Sequence, residues 1–154
     1  MRSRDSKEAL LMEGLVKKCP VDFRTVGNLI SRAHIDLKTA RRNLDADEEC
    51  AYTYAYNAML RAGLALMFSE GFRPEIKDKH RTAVRFAGGI LGSEYRKLVD
   101  EYDYMRRKRH KFIYEPDLPC SHKEAKDALA VAGRFVEIVS VLIREKNPQQ
   151  ELRL

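Results

Sequence analysis

Residues 48–70 read EECAYTYAYNAMLRAGLALMFSE, and this stretch decides the fold of the chain. It carries a stripe of small residues at helical spacing, namely Ala51, Ala55, Ala58, Ala62 and Ala65. Small side chains on one face of a helix let a neighbouring helix approach closely. Tyrosines, leucines and methionines widen the apolar surface beyond that stripe, which indicates a helix covered on several sides. Acids at 47–49 favour the start of this helix and Gly71 its end, so the sequence predicts the central helix of a bundle.

The segments on both sides of this helix show helical periodicity as well. In residues 22–44, apolar side chains recur at alternating spacings of four and three. A Ser-x-x-Glu capping box at residues 121–124 opens the last predicted helix, in which the same spacing recurs. Residues 76–91 and 93–114 are predicted to form two more helices, the first of them frayed by its Gly88–Gly89 pair.

The length and composition suit one domain. The chain has 154 residues, of which 44% are hydrophobic and 34% are charged. We predict a single helical domain over residues 1–154, with its core at about 22–145. A short N-terminal helix is expected at 6–18, and residues 148–154 are expected to form a loose tail. No alternation typical of strands is found, so the predicted fold is an all-α up-and-down bundle of four to five helices.

Charge and motif content limit the classes of function. The 29 Lys and Arg residues outnumber the 23 Asp and Glu residues, and the resulting net charge of +6 favours polyanionic partners. No apolar run approaches the roughly 18 residues of a membrane span, so we expect a cytoplasmic protein without membrane contact. The 3 cysteines lie far apart, and neither Cys-His metal spacing nor a Gly-rich phosphate loop occurs. The sequence therefore predicts no metal and no cofactor.

Residues 105–114, MRRKRHKFIY, form the most unusual segment of the sequence. Five formal cations occupy the six positions 106–111, and such a cluster repels itself unless an anion lies nearby. A solvated basic surface is the simpler interpretation of most charge runs. The candidate nucleic-acid-binding residues of this segment are Arg106, Arg107, Lys108 and Lys111.

Arg109 holds a special position on the predicted helix. The apolar face of that helix is formed by Leu98, Tyr102, Met105 and Phe112. Arg109 falls on the same face, where an unpaired guanidinium would be very costly. We expect it either to line a cleft that receives a phosphate or to pair with an internal acid such as Glu48, Glu49 or Asp100. Arg109, His110 and Tyr114 are the candidate catalytic residues, because guanidinium, imidazole and phenol together can bind a phosphate and exchange a proton.

This segment resembles the signature of the HEPN domain family (higher eukaryotes and prokaryotes nucleotide-binding). That signature is an Arg followed, after four to six residues, by His, often with a polar residue directly after the Arg. Arg109 and His110 match the first two positions. Tyr114 stands at the final position, where the family usually has His.

The resemblance extends beyond the motif. Residues 33–40, with the pattern Asp-Leu-x-x-Ala, resemble the family's first long helix, and residues 51–62 resemble its alanine- and aromatic-rich second helix. Residues 79–82 open the next helix with a His, as is often found there. The likeness covers about 22–145 in the expected order.

The resemblance implies a helical bundle that forms a homodimer with the motif helices facing each other. It implies binding of RNA or a nucleotide, and many members are metal-independent ribonucleases or toxins, often encoded beside a nucleotidyltransferase. In them, Arg and His flank the scissile phosphate. A phenol is a poorer general base than an imidazole at neutral pH, so Tyr114 favours binding over cleavage. A non-catalytic adaptor that docks a protein partner stays open as the alternative function.

Overall fold

The computed structural model describes residues 4–147. Its six α-helices are α1 (Lys7–Met12), α2 (Phe23–Asn43), α3 (Glu48–Ser69), α4 (Lys79–Leu91), α5 (Arg96–Tyr114) and α6 (His122–Lys146). Two short strands, β1 (Val16–Lys18) and β2 (Phe72–Pro74), complete the fold together with a 3₁₀ turn at Ser93–Tyr95. The all-α class predicted from the sequence is confirmed, while the predicted tail at 148–154 lies outside the described residues.

Helix α3 is the centre of the bundle, as its small residues indicate. It packs against α2, α4, α5 and α6, and all five alanines of its stripe are fully buried. At its start, the side chain of Asp47 accepts a hydrogen bond from the amide of Cys50 at 3.0 Å. At its end, Gly71 adopts the left-handed conformation with φ of 81° and stops the helix.

Helices α2 and α6 cover α3 with the apolar faces that their periodicity predicts. The apolar residues that they bury most completely are Val26, Ala33, Leu37, Ala40, Ala125, Ala132, Phe135, Val136, Val139 and Ile143. One charged pair interrupts this core: the carboxylate of Asp36 on α2 is 1% exposed and lies 2.8 Å from the guanidinium of Arg61 on α3. The ion pair keeps the buried carboxylate from being uncompensated.

The N-terminal part differs from the sequence-based expectation. The helix predicted at 6–18 ends at Met12, because the chain turns through Gly14 with φ of 72°. The chain then forms β1, which pairs antiparallel with β2 so that Val16 lies opposite Pro74. The prediction that the chain has no strands is therefore wrong in this region. A strand of three residues is too short to show an alternating pattern in the sequence.

Helix α4 also starts and continues differently from the prediction. It begins at Lys79, after Asp78 in the left-handed conformation, and Ile76 is 95% exposed in the preceding loop. Gly88 and Gly89 do not fray the helix. A Cβ atom at position 89 would lie 2.1 Å from the carbonyl oxygen of Asp5, so the glycine is needed for close packing of the N-terminal segment.

Candidate nucleic-acid interface

Helix α5 is held on α3 by the apolar face that its spacing predicts. Leu98, Tyr102, Met105 and Phe112 are all buried, and the ring of Phe112 meets the ring of Tyr52 edge-on at 5.3 Å. This packing fixes the rotation of α5 about its axis. It therefore decides which of the basic residues at 106–111 face the bundle.

Three of the five cations are engaged with acids. Arg106 and Arg107 both contact the carboxylate of Asp103, at 2.9 Å and 3.4 Å. Lys108 lies 3.1 Å from Glu124 on α6, and this hydrogen bond raises the pKa of Lys108. These contacts reduce the self-repulsion that the sequence predicts, and they leave Arg109 and Lys111 as the cations of the run without a carboxylate partner in the described part of the chain.

Arg109 is half-buried and packs against an aromatic ring. Its Cζ atom lies 5.8 Å from the centroid of the Tyr56 ring on α3, within the range of a cation–π contact. Its Nε atom is buried and has no hydrogen-bond partner among residues 4–147. In that range, none of the three predicted acids, Glu48, Glu49 and Asp100, pairs with it. Of the two alternatives for Arg109, the internal ion pair is therefore not formed here.

His80, in the first turn of α4, completes a cluster with Tyr56 and Arg109. The hydroxyl of Tyr56 lies 2.7 Å from Nδ1 of His80, and the two ring planes are within 13° of each other. Tyr56 is fully buried, and burial raises its pKa far above the ordinary value, so the phenol stays protonated. When this phenol donates its proton to Nδ1, a neutral His80 imidazole carries its own proton on Nε2.

The charge state of His80 is set by its surroundings. Partial burial lowers its pKa, and the nearby cations Arg109, Lys79 and Arg106 lower it further. His80 is therefore a neutral hydrogen-bond donor at neutral pH. We refer to Arg109, His80 and Tyr56 together as the α3–α4–α5 cluster.

His110 and Tyr114 form a separate, exposed pair on α5. Their ring centroids are 4.5 Å apart, and Tyr114 is 71% exposed. Within residues 4–147, no hydrogen bond or ring contact joins either side chain to Arg109. The guanidinium of Arg109 lies instead against the phenol ring of Tyr56, whose hydroxyl is hydrogen-bonded to the imidazole of His80.

Sequence reasoning missed His80 and Tyr56 as site residues. Tyr56 belongs to the apolar surface of α3, and a tyrosine there is indistinguishable in sequence from an ordinary core residue. The only signal at His80 is its place in the first turn of α4, which the family resemblance notes. No local pattern connects side chains that three different helices bring together.

The described residues form neither a metal-binding cluster nor a membrane-spanning helix. Across residues 4–147, no three His, Cys, Asp or Glu side chains are grouped closely enough to hold a metal ion. None of the helices in that same range is both long and apolar enough to cross a membrane.

Comparison with known proteins identifies the family. The family model of the HEPN domain matches residues 26–145, which span all of α3, α4 and α5 and nearly all of α2 and α6. No curated protein and no solved structure matches the chain significantly. The matched range is most of the chain, its helical fold agrees with the all-α fold of that family, and the family is associated with nucleotides or RNA. The chain therefore belongs to the HEPN domain family.

Proposed function

We propose that this HEPN protein binds the phosphate groups of single-stranded RNA through α5, with Arg109 as the central contact. The observation that carries this proposal is the Nε atom of Arg109, a buried charged donor without a hydrogen-bond partner among residues 4–147. Arg109 is only half-buried and has no carboxylate partner in that range, so a phosphate that reaches its guanidinium would compensate the positive charge with charge-assisted hydrogen bonds. The arrangement suits an oxyanion better than a neutral ligand.

The other basic residues of α5 extend the proposed interface. Arg107 and Lys111 are exposed, although Arg107 also contacts Asp103, while Arg106 and Lys108 are less exposed and hold ion pairs. Exposed cations steer a polyanion towards the surface and add contacts that carry no sequence preference. Several such contacts make the logarithm of affinity fall linearly with the logarithm of salt concentration, at roughly 0.7 per phosphate neutralised.

The same interface would also cleave the bound RNA. In a metal-independent reaction, the ribose 2′-oxygen attacks the phosphorus, its proton passes to a base, and the bond to the 5′-oxygen breaks as that oxygen gains a proton. The products are a 2′,3′-cyclic phosphate and a 5′-hydroxyl. Arg109 stabilises the charge that develops on the phosphate, and the exposed His110–Tyr114 pair supplies groups that exchange protons.

A symmetric homodimer would bring two such α5 segments to one cleft. Three large apolar side chains of α5 are exposed and available for association, namely Tyr104, Ile113 and Tyr114. The dimer is not required to cover Arg109, because Tyr56 of the same chain already flanks it. An anion between the two basic segments would strengthen the association by relieving their repulsion.

A specific observation also favours the alternative function of a protein adaptor. A groove of about 730 Å³ lies between α5 and α6, with Met105, Ala128 and Val131 on its apolar wall. Acids outnumber cations at its rim in a chain of positive net charge: Asp100, Glu101, Glu124 and Asp127 stand against Lys97 and Arg107. This charge pattern suits a basic, apolar segment of a nucleotidyltransferase-type partner. Val131→Gln would weaken binding of such a purified partner and, because it changes no charge, would leave RNA binding unchanged.

The proposed function is tested with a fluorescently labelled single-stranded RNA in the presence of EDTA. We expect binding at low salt that weakens linearly on logarithmic axes, and any cleavage should survive the chelator. Tyr114→Phe should then slow cleavage more than it weakens binding, because it removes one hydroxyl and no charge. RNA that fails to bind at low salt, or binds with no salt dependence, would exclude the proposal.

A further inference from the structure

His80 is held in one orientation by a partner that can serve both of its charge states. A neutral imidazole can accept the proton of the Tyr56 hydroxyl at Nδ1 across the 2.7 Å contact. When the imidazole is protonated, Nδ1 carries a proton and donates it to the oxygen of the same hydroxyl. The Nε2–H group is a donor in both states, so protonation of His80 costs no hydrogen bond to Tyr56.

Burial, together with the charged groups around His80, keeps the imidazole neutral in the free protein. Helix α5 contributes Arg109 and Arg106, and α4 contributes Lys79, all of which disfavour a further positive charge. Helix α5 also carries the acids Asp100, Glu101 and Asp103, and the carboxylate of Asp103 is shared by the guanidinium groups of Arg106 and Arg107. An anion bound at Arg109 would reverse this balance, since it would favour the imidazolium.

We propose that His80 is the second phosphate-binding residue of the interface and that it takes up one proton when a phosphate binds beside Arg109. This inference rests on the proposed function, because it requires that Arg109 binds a phosphate. The bound oxyanion accepts hydrogen bonds from the Arg109 guanidinium and from Nε2–H of His80. Tyr56 acts as a positioning residue that orients the imidazole from below the surface.

The first test follows the ring nitrogens of His80 by NMR in the ¹⁵N-labelled full chain between about pH 5 and 8. In the free protein we expect the neutral form to carry its proton on Nε2. Addition of inorganic phosphate should move the titration midpoint of His80 to higher pH. The ring resonances of His34, an exposed histidine on α2, serve as the internal control for effects of phosphate that are not specific to the cluster.

The second test measures RNA binding by fluorescence anisotropy over the same pH range. Wild-type affinity should rise as the pH falls, and His80→Gln should remove most of that rise and weaken binding at least about tenfold at low pH, as expected for one hydrogen bond between charged groups. Tyr56→Phe should weaken RNA binding at low pH in the same way, but by a smaller factor. A His110→Gln background removes the other imidazole of the segment, and His34→Gln is the matched control.

The outcomes separate the two proposals. If Arg109→Gln weakens RNA binding while His80→Gln does not and the His80 midpoint ignores phosphate, the role of His80 is refuted and the proposed function stands. If wild type binds no RNA at low salt, the proposed function fails and the role of His80 fails with it. If His80→Gln is unfolded by circular dichroism, the phosphate-dependent midpoint in wild type decides the question.

Discussion

Two buried tyrosines of α3, one helical turn apart, should respond in opposite ways to loss of the hydroxyl group. Tyr52 is 2% exposed, and its hydroxyl has no hydrogen-bond partner among residues 4–147. Tyr56 is fully buried, and its hydroxyl is hydrogen-bonded to His80. The variants Tyr52→Phe and Tyr56→Phe remove the same atom from similar surroundings, so the difference between them isolates the hydrogen bond.

The magnitudes follow from the two environments. A typical intramolecular hydrogen bond contributes about 1 kcal/mol net, whereas a buried unsatisfied polar group costs about 1–3 kcal/mol. Tyr56→Phe should therefore lower the free energy of unfolding by about 1 kcal/mol, while Tyr52→Phe should leave it unchanged or raise it by up to about 1 kcal/mol. For a chain of this size, 1 kcal/mol corresponds to a shift in Tm of about 2–4 °C.

Urea denaturation followed by circular dichroism measures these differences. The slope against urea should be the same in all variants, since the surface exposed on unfolding does not change. Tyr102→Phe is a further control, because Tyr102 is also fully buried with an unpartnered hydroxyl and should behave like Tyr52→Phe. Equal destabilisation by Tyr52→Phe and Tyr56→Phe would refute the reasoning, as it would show that His80 contributes nothing specific.

Further predictions concern packing, pH dependence and assembly. Gly89→Ala should lower Tm and expose the N-terminal segment to limited proteolysis, because the added Cβ would clash with Asp5. Gly133→Ala has open space around its Cβ and should raise the free energy of unfolding by about 0.5–1 kcal/mol. An N-terminal segment that stays protected from protease in Gly89→Ala would contradict this prediction. Burial raises the folded-state pKa of Asp36, and the positive charges of Arg61 and Arg32 oppose this effect. The native state therefore holds the proton of Asp36 more tightly than the unfolded state does. As a result, the stability of the wild type should fall as the pH rises above the pKa that Asp36 has in the unfolded chain. Asp36→Asn should lose that dependence in urea titrations between about pH 4 and 7, and an unchanged pH profile would argue against a raised pKa. Multi-angle light scattering should show about twice the chain mass, and the fraction of dimer should increase when phosphate is added. A protein that stays monomeric both with and without RNA would exclude the shared cleft.

Much of the fold can be predicted from the sequence, because long helices carry many independent signals. The alanine stripe of α3 and the alternating spacings of α2 and α6 each repeat over several turns, and they identify both the elements and their buried faces. The short pairing of β1 with β2 leaves no such pattern. The role of Gly89 cannot be predicted from its neighbours in the sequence, because it depends on close packing against the carbonyl of Asp5, a residue far away in the chain.

The candidate site could be predicted only in part. The phase of α5 indicates correctly that Arg109 faces the bundle, since that conclusion needs one helix alone. Its neighbours depend on the rotation and depth of α3 and α4 against α5, which the sequence does not define. The imidazole and phenol beside Arg109 are therefore those of His80 and Tyr56, and not those of the sequence neighbours His110 and Tyr114.

The central claim is that Arg109, more than the net charge of the chain, binds the phosphate of RNA. The most direct measurement compares the dissociation constants of Arg109→Gln and Arg24→Gln for one labelled single-stranded RNA at one salt concentration. Both variants remove one positive charge, and Arg24 is exposed in the first turn of α2, outside the cluster. We expect Arg109→Gln to weaken binding at least about tenfold, as for a lost charge-assisted hydrogen bond, and Arg24→Gln to change it less than about twofold. Equal effects of the two variants would contradict the claim, because they would show that binding follows net charge alone.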